Sequence, residues 1–154
     1  DIKAANVLLD VDDIDYARIR LSDLGLAKVA PELQGVGMGM AHVSTGGGAL
    51  LGTWDYMAPE QWIKSKTVDA KTDVYSLGVL LFHLLAGRLP FVAENPKDLM
   101  TLHLFEDPPM KRLHESVPLA LRNLVEHMLQ KLPKLRPTMR EVLARVEAMK
   151  ENHG

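Results

Sequence analysis

The sequence predicts a mainly α-helical single domain with one small β-hairpin near its start, and three observations predict it. Leu121, Leu124, Val125, Met128, Leu129 and Leu132 recur at i, i+3, i+4, i+7, i+8 and i+11, the period of a helix with one apolar face. Asp73 to Ala86 keeps a helical period but is apolar nearly all round, as in a helix at the centre of a fold. Asn6 to Leu9 and Tyr16 to Leu21 are short apolar or alternating runs on either side of Asp10-Val11-Asp12-Asp13, the pattern of two strands joined by an acidic turn.

Each element has a local cause. The hairpin would bring Asn6 and Asp23 to neighbouring strand ends. Gly35 to Gly48 is rich in Gly and Met, lacks periodicity and is expected to be a mobile loop. Its Gly35-x-Gly37-x-Gly39 is no nucleotide-binding loop, since no suitable strand precedes it and no Lys-Ser/Thr follows. The central helix has Gly87 at its expected C-terminal cap and Pro90 beyond it. Pro108-Pro109 and Pro118 punctuate the stretch before the amphipathic helix. Thr138-Met139-Arg140-Glu141 is a capping-box pattern, opening a last helix with Val142, Leu143, Val146 and Met149 expected on its inner face. No internal repeat and no linker divides the chain.

Composition excludes several classes. With 154 residues, 47% hydrophobic and 25% charged, the chain is long enough to bury roughly 68–70% of its unfolded surface in one core. A net charge of −2 with both signs interspersed argues against a nucleic-acid partner or an anionic membrane surface. The absence of cysteine excludes disulfides and Cys-ligated zinc and fits a reducing compartment. The longest apolar run, Leu77 to Leu85, is broken by His83 and falls far short of the ~20 residues that span a bilayer. No signal-peptide layout opens the chain. The expected location is cytoplasmic, with any membrane anchor outside this segment. The six histidines show no metal spacing and are expected in surface or capping roles.

The chemistry-bearing residues crowd the beginning. Asp1-Ile2-Lys3-Ala4-Ala5-Asn6 is followed by Asp23-Leu24-Gly25. Such a set suits phosphoryl transfer, in which a protein positions groups and neutralises charge and makes no covalent bond itself. Asp1 can accept a proton from an attacking hydroxyl and Lys3 can hold a phosphate. Asn6 and Asp23 supply hard oxygen ligands of the kind Mg²⁺ prefers. Downstream, in order, stand Gly52-Thr53-Trp54-Asp55-Tyr56-Met57-Ala58-Pro59-Glu60, Asp73-Val74-Tyr75-Ser76-Leu77-Gly78-Val79, and Arg136-Pro137.

With these motifs in this order, nearly the whole chain resembles the C-terminal lobe of eukaryotic-type Ser/Thr protein kinases, from the catalytic loop onward. The resemblance implies a protein-kinase-like C-lobe fold, ATP and Mg²⁺ as cofactors, and a protein substrate with a Ser/Thr acceptor. Asp1 matches the catalytic base, Lys3 the phosphate-positioning lysine, and Thr53 the residue bridging base and lysine. Asn6 and Asp23 match the metal ligands, and Leu8 the apolar residue beneath the adenine. Lys3, two residues past the aspartate, points to Ser/Thr rather than Tyr specificity. Leu24 stands where the family has Phe, and Ala4 where it commonly has Pro; both are tolerated variants. Glu60 and Arg136 match a buried architectural ion pair. Asp73 matches an aspartate that bonds the catalytic-loop backbone, and is expected to be left with an unsatisfied acceptor.

Residues 23–60 resemble an activation segment, with Ser44 and Thr45 as candidate phosphorylation sites. Ala49 occupies the position where the family often carries a phosphothreonine. The Gly-rich loop, the Val-Ala-Ile-Lys strand, the helix-C glutamate and the His-Arg before the aspartate have no counterpart in these residues. Residues 1–154 are therefore expected to be a partial kinase domain that alone transfers phosphate poorly or not at all. The rival from another class is a non-catalytic, kinase-like protein-binding module. Retention of the chemistry-bearing residues favours an enzymatic parent, and the gene upstream of Asp1 would discriminate the two.

Overall fold

The computed structural model describes residues 2–10, 18–22, 54–63 and 69–151. Their order is a 3-10 turn at Ala4–Asn6, strands β1 (Val7–Asp10) and β2 (Arg18–Leu21), then helices α1 (Pro59–Ile63), α2 (Ala70–Ala86), α3 (Pro96–Phe105), α4 (Leu119–Met128) and α5 (Met139–Glu151). Further 3-10 turns at Met110–Arg112 and Pro133–Leu135 lead into α4 and α5. This is the mainly helical fold with one hairpin that periodicity predicts.

The strands pair antiparallel with Val7 opposite Leu21 and Leu9 opposite Ile19. Asn6 lies in the 3-10 turn rather than in the strand, because its N–H is taken by the Lys3 carbonyl at 3.0 Å. Of the alternating residues, Ile19 is 68% exposed and Leu21 54%, so the hairpin stands largely outside the core.

Helix α2 is the axis of the fold. Asp69 caps its start by accepting from the Lys71 N–H at 2.8 Å. It ends at Gly87, whose φ of 68° is the left-handed conformation that glycine adopts without a Cβ penalty. Val74, Tyr75, Val79 and Phe82 are wholly buried. Gly78 permits the close crossing with α4: a Cβ there would lie 2.9 Å from that of Met128. On one side Tyr75, Val79 and Phe82 join Tyr56, Ala58, Leu113, Val117, Val125 and Leu129 in the main cluster. On the other, Val74, Leu124, Met128 and Val142 form a second, to which Val146 and Met149 add from α5.

Two helix assignments are corrected. The amphipathic helix ends at Met128, and Leu132 is 52% exposed. The chain leaves the helix because the Gln130 and Lys131 carbonyls turn to Arg136, accepting from its Nε at 2.7 Å and Nη2 at 3.0 Å. In α5 the capping box forms, with the Glu141 carboxylate accepting from the Thr138 N–H at 2.6 Å and Thr138 Oγ1 from the Glu141 N–H at 3.2 Å. Leu143, however, is 57% exposed. The inner stripe is Val142, Val146 and Met149, at i, i+4 and i+7, and Leu143 sits one step round the helix.

Candidate active site

The residues nearest the predicted chemistry form a short stem. Lys3 is half-buried with extended backbone, and its carbonyl holds the turn that leads to Asn6. Asn6 is 5% exposed, and its backbone carbonyl accepts from both the N–H and the hydroxyl of Ser22, at 2.8 and 3.3 Å. Ser22 immediately precedes Asp23 in the chain. Leu8, one residue into the hairpin, is 51% exposed and pairs across from Arg20, so plain core packing does not account for it. Asp1, Asp23 and Thr53 lie outside the described residues, as do Leu24, Ser44, Thr45, Ala49 and the glycine-rich stretch. The structure thus bears on Lys3, Asn6 and Leu8 alone among the candidate site residues.

Beside the stem runs the Trp54–Ala58 segment, which ends where α1 begins. Ala58 and Pro59 are buried, and the Ala58 N–H donates to the Gln61 side chain at 2.9 Å. Its neighbour on α2 is a row of polar side chains that sequence reasoning missed. Thr72 donates to Glu60 at 2.9 Å, Ser76 donates to the Tyr56 carbonyl at 2.8 Å, and His83 Nδ1 lies 3.0 Å from the Tyr56 hydroxyl. The spacing 72, 76, 83 is i, i+4, i+11, one helix face, and was the signal available in the sequence. Burial pushes the Tyr56 phenol pKa up; the Ala4 backbone amide opposes this and the Asp55 carboxylate adds to it. Asp55 is likewise raised by burial, with His83 opposing.

The Glu60–Arg136 pair is present as expected. Arg136 makes a two-pronged contact at 2.7 and 2.8 Å, with its side chain fully buried. Its remaining N–H groups reach the carbonyls of Lys71, Gln130 and Lys131, so all five donors are used, and the guanidinium stacks 4.9 Å from the Tyr75 ring centre. Partial burial would raise the Glu60 pKa, but the Arg136 hydrogen bonds and charge, with Thr72, outweigh it and hold the carboxyl below its ordinary value. Asp73 departs from expectation. It is exposed on the first turn of α2, where water can satisfy its oxygens, so no orphaned buried acceptor results.

The expectation for the histidines also fails at His103, which has no exposure at all. Its Nδ1 lies 2.9 Å from the Tyr75 hydroxyl, and its ring packs edge-on against Phe91 with centres 5.0 Å apart. Among the described residues no group of three or more His, Cys, Asp or Glu side chains could hold a metal.

Comparison with known proteins agrees with the motifs. The pattern of the protein kinase domain family matches residues 1–146. The chain belongs to that family. It is 34% identical over 134 residues to the serine/threonine-protein kinase PknB of Mycolicibacterium smegmatis, covering 86% of this chain and 20% of that protein. It is 34% identical over 150 residues to the DNA damage-responsive serine/threonine-protein kinase RqkA of Deinococcus radiodurans, covering 97% of this chain and 20% of that protein. It is also 36% identical over 165 residues to the plant serine/threonine-protein kinase PBL34 of Arabidopsis thaliana, covering 97% of this chain and 30% of that protein. The chain therefore spans between a fifth and a third of the length of these kinases. Protein kinases as a family use ATP and a divalent metal. No helix among the described residues is long and apolar enough to cross a membrane.

Proposed function

We propose that residues 1–154 are the C-lobe portion of a Ser/Thr protein kinase domain, with residues 23–60 as its activation segment, and that the enzyme moves the ATP γ-phosphoryl group to a protein hydroxyl. The substrate oxygen attacks the γ-phosphorus, the bond to the bridging oxygen of ADP breaks, and the hydroxyl proton passes to the Asp1 carboxylate. Lys3 holds the transferring phosphate and Thr53 bridges Asp1 and Lys3. Asn6 and Asp23 hold Mg²⁺, which when bound neutralises charge on the phosphates. Leu8 offers its exposed face to the adenine.

One observation carries this: the double hydrogen bond from Ser22 to the Asn6 carbonyl. It ties the start of β1 to the residue just before Asp23, which supports two oxygen ligands meeting at one end of the hairpin. A pure scaffold would have no use for Lys3, Asn6 and Asp23. The test is transfer of labelled phosphate from ATP to a Ser/Thr protein, with the kinase in the length in which the cell makes it. Asp1→Asn should lower kcat about 10²–10⁴-fold, the usual contribution of a positioned base. Asp23→Asn should abolish Mg²⁺-dependent nucleotide binding. An Asp23→Asn kinase of undiminished turnover sinks the assignment.

A further inference from the structure

Exposed apolar side chains crowd one stretch of the chain. Of the twelve large apolar residues open to solvent among the described residues, four fall between residues 132 and 143. They are Leu132 at 52%, Leu135 at 54%, Met139 at 40% and Leu143 at 57% exposed. Single exposed leucines are ordinary on a protein surface, but a concentration of them marks a contact face. Leu132 and Leu135 belong to the 3-10 turn that leads into α5, and Met139 and Leu143 stand one turn apart on the helix itself. Val142, Val146 and Met149 turn inward to the second cluster. Met139, Arg140, Leu143, Ala144 and Glu147, at i, i+1, i+4, i+5 and i+8, gather on another face, and all five are exposed. Among the described residues no hydrogen bond or ion pair engages the side chains of Arg140 and Glu147.

We propose that two copies of the chain pair through this face of α5, the helices running in opposite directions about a two-fold axis between Leu143 and Ala144. The order of charges decides the occupant. In a two-fold pair the same patch serves both partners, so a residue some steps before the axis meets the one equally far beyond it. Arg140 then stands opposite Glu147 of the second copy, and its own Glu147 opposite the other Arg140. Leu143 meets Ala144, a large side chain against a small one, which lets the helices approach closely. Met139 closes the apolar seam at each end. A parallel arrangement would set Arg140 against Arg140 and Glu147 against Glu147, so the charges also choose the direction. A partner of another sequence would have to reproduce both the large-against-small seam and the opposed charges, which this helix supplies for itself. One helix pair is a small contact, below about 1,200 Å² in total, so the association is weak and depends on concentration.

The test uses the kinase in the length in which the cell makes it and reads the contact itself. Residues 1–154 contain no cysteine, so Ala144→Cys puts their one thiol on the proposed seam, and Arg145→Cys puts it one step round the helix as a control. A short bis-maleimide should join two copies of the Ala144→Cys kinase through residue 144, in a yield that rises with protein concentration. Mass spectrometry of the linked peptides identifies the junction. Arg145→Cys should give no such link between two copies of residue 145. Arg140→Glu or Glu147→Arg, each added to Ala144→Cys, sets like charges face to face at both ends of the seam and should cut the yield at least about tenfold. The two exchanges together restore the opposed charges and should bring the yield back, with circular dichroism spectra unchanged throughout. No 144–144 link at any concentration overturns the proposal, as does a link that outlasts Arg140→Glu or that the double exchange fails to restore. Residue 144 linked in cell extract to an unrelated protein, in place of a second copy, gives the face to another partner and overturns it as well.

Discussion

His103 shows what burial does to a single titratable group. The ring is enclosed by Trp62, Tyr75 and Phe91, and its Nε2 has no hydrogen-bond partner. Burial takes its pKa down from 6.5 to about 3; the Lys131 ammonium works in the same direction and the Asp55 backbone carbonyl against it. Between those two values the unfolded chain binds a proton that the folded one refuses. Stability therefore falls as pH drops through that window, by up to about 1.4 kcal/mol per unit. His103→Gln should flatten the acid limb of a urea-denaturation series between pH 6 and 4. A limb as steep as the parent's would show that the ring is not the cause. The Glu60–Arg136 pair acts at lower pH and in the same sense: with the carboxyl held below its ordinary value, its support is complete at neutrality and lost on acidification through the folded pKa. Glu60→Ala strands a fully buried guanidinium and should cost about 3–5 kcal/mol by denaturant midpoint. This pair was legible because two charged residues stood at familiar places in two motifs. His103 was not, since a histidine looks polar in any hydropathy scan and only the aromatic rings around it reveal a core position.

Among the elements, α2 and α5 were legible and α3 was not. Asp69 and Gly87 bound α2 by capping chemistry, and Thr138 with Glu141 opens α5 in the same way. Helix α3 carries an equally plain start: Asn95 accepts from the Asp98 N–H at 2.9 Å, and Pro96 occupies the first helical position. What hid it is its apolar pattern. Only Leu99 and His103 on it are buried, while Phe105 is 75% exposed, so no apolar stripe announces the helix. Its last carbonyls are closed by Lys131, whose ammonium donates to those of Leu102 and His103 at 3.3 and 2.9 Å and lies over the Phe91 ring. A contact spanning 28 residues cannot be seen in local periodicity. The crossing of α2 and α4 gives a sharper test. Gly78→Ala gains up to about 1 kcal/mol of helix propensity but drives a methyl against Met128 and Leu129. Overpacking of this kind costs typically 1–3 kcal/mol, so a net loss of about 1–2 kcal/mol is expected in the same denaturation assay. A variant more stable than the parent would mean that the helices part easily.

For the molecule as a whole, stability should be graded outward from α2. Its central residues belong to both apolar clusters or to the contacts between them, whereas Leu8, Ile19 and Leu21 of the hairpin are more than half exposed. Amide hydrogen exchange should accordingly be slowest in the middle of α2 and fastest, among the regular elements, in β1 and β2. Hairpin amides that outlast those of Val79 and Leu80 would contradict that order. The predicted catalytic end thus sits on the least anchored part of the described fold, where Ile2 and Val7 pack against the apolar cluster built on α2. The motifs announced the chemistry-bearing residues, but the contacts of Ser76 and His83 with Tyr56 span 20 and 27 residues, and separations of that size are invisible to spacing rules.

The polar row on α2 has one more effect. Thr72, Ser76 and His83 are notches on an otherwise greasy rod, each engaged by a different atom of the 54–60 strip. Sliding the rod by half a turn would displace every notch by about 2.7 Å and disengage all three together. Intermediate settings have nothing to grip, so the strip and the rod share a single register, and any motion between them has to be a click rather than a glide.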